Sequence, residues 1–460
     1  NYAGGVAGYN YGVLDLQVEI DKGSIDVFMN AYAFIGSLGR YTGGLIGANS
    51  GQILTSAGKS KFTFTGSVSG DETVGGIVGS NSVNELVNLK NASSVTAVNG
   101  AAGGIAGESS SSVLSCHNEG YILATKAGDA GGIVSVNEQD GIIKKCDDRG
   151  EVTAANGDCG GIAGSNAGYI GDSTVSAGIN FEGQKNAGGI AGVNHGIIQN
   201  VEVRDITVAN APDSSAGNIG IVVGFNNGTL EWTSDIVAVE NSKAYTYVSG
   251  SNVGGIAGNN KNSIANAVIN NVEMGFAGNN ATYANMGGIA GINNSVISTC
   301  TVYGNITGDM GGADTGYGGI AGVNNSSISD CSYEGSLLTN GSADNIVNLG
   351  GIAGKNNSSA SIMRSFVGIQ KTTVIKTGNT NGNAAMGYVG GLAGWNLGTV
   401  LDSDNYTNST ASVTIENYAG HTGGIVGYQA EGAVVGGEAD NILSTGRKWS
   451  VISRYYSNDA

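Results

Sequence analysis

Gly318-Gly-Ile-Ala-Gly-Val-Asn-Asn-Ser-Ser-Ile-Ser-Asp-Cys331 opens with the pentapeptide whose return decides the fold. Gly-Gly-Ile-Ala-Gly and its close variants begin at Gly4, Gly43, Gly75, Gly103, Gly131, Gly160, Gly188, Gly220, Gly254, Gly287, Gly318, Gly350, Gly390 and Gly423, fourteen copies spaced 28 to 40 residues apart. Self-similarity at such a period marks a solenoid: one small unit cannot bury its apolar face alone and is stacked on copies of itself.

Outward from the pentapeptide the repeat continues. Asn stands six residues after the first Gly in twelve copies: Asn10, Asn49, Asn81, Asn137, Asn166, Asn194, Asn226, Asn260, Asn293, Asn324, Asn356 and Asn396. Ser109 and Gln429 replace it in the other two. A short aliphatic run follows, often with Cys three places on, as in Ile297-Ser-Thr-Cys300, and then a Gly-x-Ile/Val-Thr piece such as Gly150-Glu-Val-Thr153. Three β-like runs separated by Gly, Asn and Ser turns make one period, and helical spacing is not sustained. The expected fold is all-β, a parallel β-helix with about one coil per repeat. Its asparagines form a ladder at one corner, because Asn tolerates turn backbone and can bond its own stack.

The third pentapeptide position is aliphatic in every copy, from Val6 and Leu45 to Leu392 and Ile425, and is expected to form one inward row. The fourth is also small and apolar, for example Ala163, Ala290 and Ala321. Alternation along a strand would turn it outward as a smooth stripe open to a partner, unless other parts of the chain cover it.

Composition agrees with a strand-rich stack. One proline in 460 residues fits strands that need every N–H, and 81 glycines lack the three-residue period of collagen. The repeat runs without a composition break, so residues 1–446 read as one β-solenoid and 447–460 as a basic, aromatic segment, either a cap or a docking peptide. The chain opens inside a repeat at Asn1-Tyr-Ala-Gly-Gly5, which predicts an uncapped first coil. No signal peptide or membrane span is evident. A formal charge of −17 argues against nucleic acid, whose phosphates require a basic face.

Candidate chemistry is sparse. Cys116 and Cys146, like Cys300 and Cys331, occupy equivalent places in adjacent copies. Stacking would allow disulfides, although buried thiols are the favoured reading. Zinc is disfavoured by the absence of Cys-x-x-Cys and by having only His117, His195 and His421. Gly311-Gly-Ala-Asp314 is similar to calcium-binding turns, but such sites need tandem copies. Asp147-Asp148-Arg149 and Asp402-Ser-Asp404 are the nearest approach to a glycosidase carboxylate pair. Tyr9, Phe225, Trp395 and Tyr428 share one repeat position, where exposed rings would stack on sugars. No cofactor motif is found.

Units such as Gly318–Cys331 followed by Gly335-Ser-Leu resemble the GLUG-type repeats of bacterial secreted and cell-surface proteins over residues 1–430. Such repeats occur in adhesin-like proteins and in non-catalytic regions of immunoglobulin A-cleaving metallopeptidases. The resemblance implies an extracellular, cell-surface role and carries over no catalytic residue. The resulting expectation is a non-enzymatic surface scaffold that self-associates as a fibre, sheath or adhesin stalk, with cell-surface glycans or host proteins as further partners. The alternative is a carbohydrate-binding or polysaccharide-degrading β-helix. Arg447, Lys448, Trp449, Arg454, Tyr455 and Tyr456, basic and aromatic on an acidic chain, are the candidate interface.

Overall fold

The computed structural model describes residues 2–16, 30–55, 62–126, 128–176, 180–183, 185–210, 217–233, 236–276, 284–308, 315–339, 347–377, 387–405, 412–417, 420–436 and 452–455. Contacts divide the chain into two units, Asn1–Ser214 with Val222–Thr229, and Ser215–Ile221 with Leu230–Ala460. Among the described residues both are built of strands, without an α-helix, and each is a parallel β-solenoid. The sequence-predicted fold class is the observed one.

A coil of the first unit passes through four sheets, in Cys159–Gly160, Ala163–Asn166, Tyr169–Gly171 and a fourth contribution in two pieces, Thr174–Ser176 and Asn180–Gly183. Each pairs in parallel with its equivalent one repeat on: Cys159 with Ala187, Ala163 with Ala191, Ile170 with Ile198 and Val175 with Val203. In the second unit, Gly316–Gly318, Ala321–Asn324, Ser327–Ser329 and Ser332–Thr339 pair likewise with the copy beginning at Gly350. Each coil contributes to four sheets rather than the three runs read from the sequence, because a corner lies inside the pentapeptide. There the backbone N–H groups of Ile162 and Ala163 both donate to the carbonyl of Ile190, at 3.0 and 2.9 Å. Alternation is reset at that doubled bond, so two consecutive side chains turn inward.

That corner corrects the expected outer stripe. Ala163, Ala191, Ala290 and Ala321 are all 0% exposed, as buried as the third-position Ile162, Ile190, Ile289 and Ile320. Lysine at Ala290 or Ala321 would enter the core and unfold its coil; it cannot probe an interface. The inward row is also incomplete, since Val6 is 60% exposed on a coil stacked on one side only and Ile425 is half-buried.

The pentapeptide glycines are required by close approach, and none of them has a positive φ. A Cβ on Gly160 would overlap the Ala163 carbonyl oxygen and lie 2.7 Å from Ala191 Cα in the next coil. One on Gly164 would lie 2.7 Å from Asp129 Cβ and 3.0 Å from the Ala130 oxygen. Backbone thus packs on backbone, leaving no room for a methyl group.

A different rule governs the corner between third and fourth strands. In most coils one non-glycine residue there adopts left-handed backbone: Asn88, Ser115, Lys145, Asp172 and Asn200 in the first unit, and Asn266, Thr299, Asp330, Arg364 and Asp402 in the second. The next residue is often Cys or Ser, and its side chain closes the turn.

Candidate functional site

The asparagine ladder follows from the register. In the first unit each Nδ2 donates to the Oδ1 of the next coil, Asn10 to Asn49, Asn49 to Asn81, Asn137 to Asn166, Asn166 to Asn194 and Asn194 to Asn226, at 2.7–2.9 Å. In the second unit Asn260, Asn293, Asn324, Asn356 and Asn396 continue the pattern, ending on Gln429 Oε1 at 2.9 Å. The oxygens also accept a turn N–H two residues on, as Asn194 does from Gly196 at 3.2 Å. Each asparagine therefore shapes its own turn and joins its coil to the next.

Further ladders were not read from the sequence. Asn252 donates to Asn218, and Asn285 to Asn252, two places before the pentapeptide. Asn294, Asn325 and Asn357 form an outer column, the signal for which is the Asn-Asn doublet at 293, 324 and 356. A buried third column runs Asn91, Asn118 and Asp148 at 2.8 Å per step.

Asp147 and Asp148, the leading carboxylate pair, face opposite ways. Asp148 is 0% exposed, accepts from Asn118 and from the Gly150 N–H, and burial drives its carboxyl well above the usual range. It takes the place of an amide in the ladder. Asp147 faces outward beside His117, whose ring lies between two carboxylates, Nε2 2.9 Å from Glu119 and Nδ1 3.1 Å from Asp147, the latter off the hydrogen-bonding direction. Lys90 reaches Glu119 at 2.7 Å and Arg149 reaches Asp147 at 3.0 Å. Burial raises the Asp147 carboxyl, but His117, Arg149 and Thr174 outweigh it and hold the group below the usual range. The patch is mutually neutralised: each acid already has cationic partners. Asp402 occupies the left-handed corner, and Asp404 lies in the strand Asp404–Asn405.

A second acidic column behaves differently. Asp129 and Asp158 occupy the repeat position held by Asn186 in the next coil. Asn186 Nδ2 donates to Asp158 at 2.8 Å, and Asp129 accepts the Asp158 N–H at 2.9 Å. Burial and the neighbouring Asp129 carboxylate push Asp158 up to about 6. An aspartate raised in this way favours the fold while protonated; the favourable contribution is complete below about pH 4 and lost between about pH 4 and 6. Asp158→Asn should therefore stabilise the chain by ~1–3 kcal/mol at pH 7 and leave it unchanged below pH 4. Denaturant melts at the two pH values check this, and an equal effect at both would contradict it.

The cysteines carry buried thiols and form no disulfide. Cys146 Sγ lies 3.5 Å from the Lys144 carbonyl and Cys331 Sγ 3.2 Å from that of Ser329, both two residues back. Ser173, Ser365 and Ser403 make the same bond with Oγ at 2.8–2.9 Å. Thiol and hydroxyl are thus interchangeable turn closures. Cys146→Ser should melt within ~1 kcal/mol of the parent, whereas Cys146→Leu should cost ~2 kcal/mol or more through overpacking. Equal losses in thermal melts would refute the turn role.

Aromatic residues gather in two places. In the second unit Tyr388 stacks on His421 at 5.5 Å, Tyr428 meets Trp395 edge-on at 6.1 Å, and Lys355 Nζ lies 4.6 Å above the Trp395 ring. Tyr9, in the first unit, packs on Tyr2 and Tyr11. Phe225 lies 6.5 Å from the His195 ring. These rings pack chiefly on one another across coils.

Arg447, Lys448, Trp449 and Tyr456 lie outside the described residues, as do Gly311–Asp314. Arg454 and Tyr455 belong to the strand Ile452–Tyr455, which pairs in parallel with Val413–Asn417, so this part of the 447–460 segment extends the fourth-strand sheet. Among the described residues no three His, Cys, Asp or Glu converge on a metal position, and no helix is long and apolar enough to cross a membrane. Comparison with protein-family models, curated proteins and solved structures finds no match.

Proposed function

We propose that this chain is a non-catalytic scaffold of a bacterial cell surface, related to the GLUG-type repeats it resembles, and that copies associate as a fibre, sheath or adhesin stalk. The observation that supports the reading is where the polar side chains are engaged. Asn amides bond Asn amides of the next coil, Glu119 pairs with Lys90 one coil away, Asp147 pairs with Arg149, and thiols bond carbonyls. Chemistry-bearing groups are committed to holding turns and coils together, as a structural stack requires and as a reaction centre does not. Self-association is assigned to the 447–460 segment, where bases and aromatics concentrate on a chain of charge −17.

Analytical sedimentation with negative-stain imaging tests this. The intact chain should form concentration-dependent assemblies, weakened by salt and by deletion of residues 447–460. A monomer at high concentration and low salt, unchanged by the deletion, would overturn self-association. Turnover of a polysaccharide, lost on Asp147→Asn, would overturn the non-catalytic reading.

A further inference from the structure

The third-strand sheet is interrupted in the first unit. Val13–Asp15 and Gln52–Leu54 pair only with each other, and the sheet resumes at Leu86–Val87. The same two coils remain paired through their other strands: Thr42 with Val74, Ile46 with Val78 and Phe64 with Asn91. Five positions separate Asn81 from Leu86 where four separate Asn49 from Ile53, yet Leu86 pairs in register with Val113, itself four positions after Ser109. The break is therefore confined to the Ile53 side, and a cleft of about 610 Å³ opens there between the two coils.

The lining is chemically mixed. Amides come from Gln52, Asn84 and Asn88, and Glu85 adds the one charge among the described lining residues. Ile53, Leu54 and Val87 supply an aliphatic wall. Side chains bridge the break where backbone would have paired: Thr55 Oγ1 donates to the Val87 carbonyl at 2.8 Å, and Asn84 Nδ2 to the Ser50 carbonyl at 3.1 Å.

Amides offer donor and acceptor side by side, a carboxylate accepts hydroxyl protons, and an aliphatic wall suits a C–H face. That combination matches a hydroxyl-rich ring. An added peptide strand is disfavoured because the two carbonyls are already taken and strands of two and three residues offer at most ~10 Å of edge. Glu85 on an acidic chain disfavours anionic sugars. We propose that this cleft is a binding site for a neutral saccharide, one or two pyranose units held edge-on by Gln52, Asn84 and Glu85. The inference goes beyond the scaffold reading and does not depend on self-association.

The test titrates the full chain by calorimetry and NMR with short neutral oligosaccharides of glucose, mannose, galactose and N-acetylglucosamine, with an oligogalacturonate and an extended peptide as comparisons. At least one neutral sugar should bind. Gln52→Leu and Glu85→Leu, both at exposed positions, should each weaken it about tenfold, one hydrogen bond's worth. Both variants should melt with the parent, which separates loss of binding from unfolding. No binding by any neutral sugar, binding that survives both substitutions, or preference for the peptide or the anionic sugar would each overturn the proposal. Sedimentation of the same variants should be unchanged, so the saccharide site and the scaffold reading fail independently.

Discussion

Ile190→Asp and Ile320→Asp are expected to unfold the coils that carry them, at a cost of ~4 kcal/mol or more each at pH 7. Both side chains are 0% exposed, and each backbone N–H is bonded to the next coil, Ile190 to the Val222 carbonyl at 2.9 Å and Ile320 to that of Ile352 at 3.0 Å. Losing the isoleucine forfeits ~2–3 kcal/mol of apolar burial. The carboxylate must then enter an apolar row unpaired or be held neutral, and either adds to the loss. The penalty should therefore grow as pH rises above about 4. Neighbouring copies carry Val222 and Leu392 at this position, so Ile190→Val and Ile320→Leu should cost only ~1 kcal/mol.

How the loss is measured matters in a repeat stack. Stability there is a sum of coil and interface terms, and one broken coil need not unfold both units together. Hydrogen exchange resolved by residue should show lost protection centred on the copy at Gly188 or Gly318 and spreading to adjacent coils. Unchanged exchange and melting in both Asp variants would mean that the inward face has been misassigned.

Much of the fold was legible because its rules are periodic. The recurring Ile of the pentapeptide and the Asn that follows it each repeat once per coil, and stacking converts that recurrence into a row and a ladder. What could not be read depends on contacts between coils. Parity along Gly-Gly-Ile-Ala-Gly turns Ala163 outward, but a carbonyl one coil away receives two consecutive N–H groups and turns it in. The same parity should have separated Asp147 from Asp148, since they are neighbours on one strand. A disulfide stayed open as the lesser reading for Cys146 because Ser173, at the same place in the next copy, was not read beside it. The cleft at Gln52 left no mark in the repeat spacing, because Leu86 pairs with Val113 across the same one-residue difference that separates it from Ile53.

Gly131→Ala tests whether the pentapeptide is defined by its glycines as much as by its isoleucine. A Cβ at Gly131 would overlap the Val134 carbonyl oxygen and stand 2.7 Å from Val134 C and 2.8 Å from the Gly164 N. Every one of those atoms is backbone, and Gly164 belongs to the next coil, so no rotamer change can make room. Val134 N–H is bonded to the Ile162 carbonyl at 2.9 Å, and moving the Val134 peptide would break that bond. A methyl group that elsewhere stiffens the unfolded chain and stabilises a protein should here cost ~3 kcal/mol or more. Gly36 supplies the control: nothing lies within 4 Å of a Cβ there. Gly36→Ala should be neutral or stabilising by up to ~1 kcal/mol, because it restricts the unfolded chain without a clash. Two identical substitutions with opposite signs would separate steric need at the corner from glycine's conformational freedom. If Gly131→Ala melted like Gly36→Ala, the coils would have to be looser than their hydrogen bonds require, and the corner could not be what holds Ile133 and Val134 on the same side.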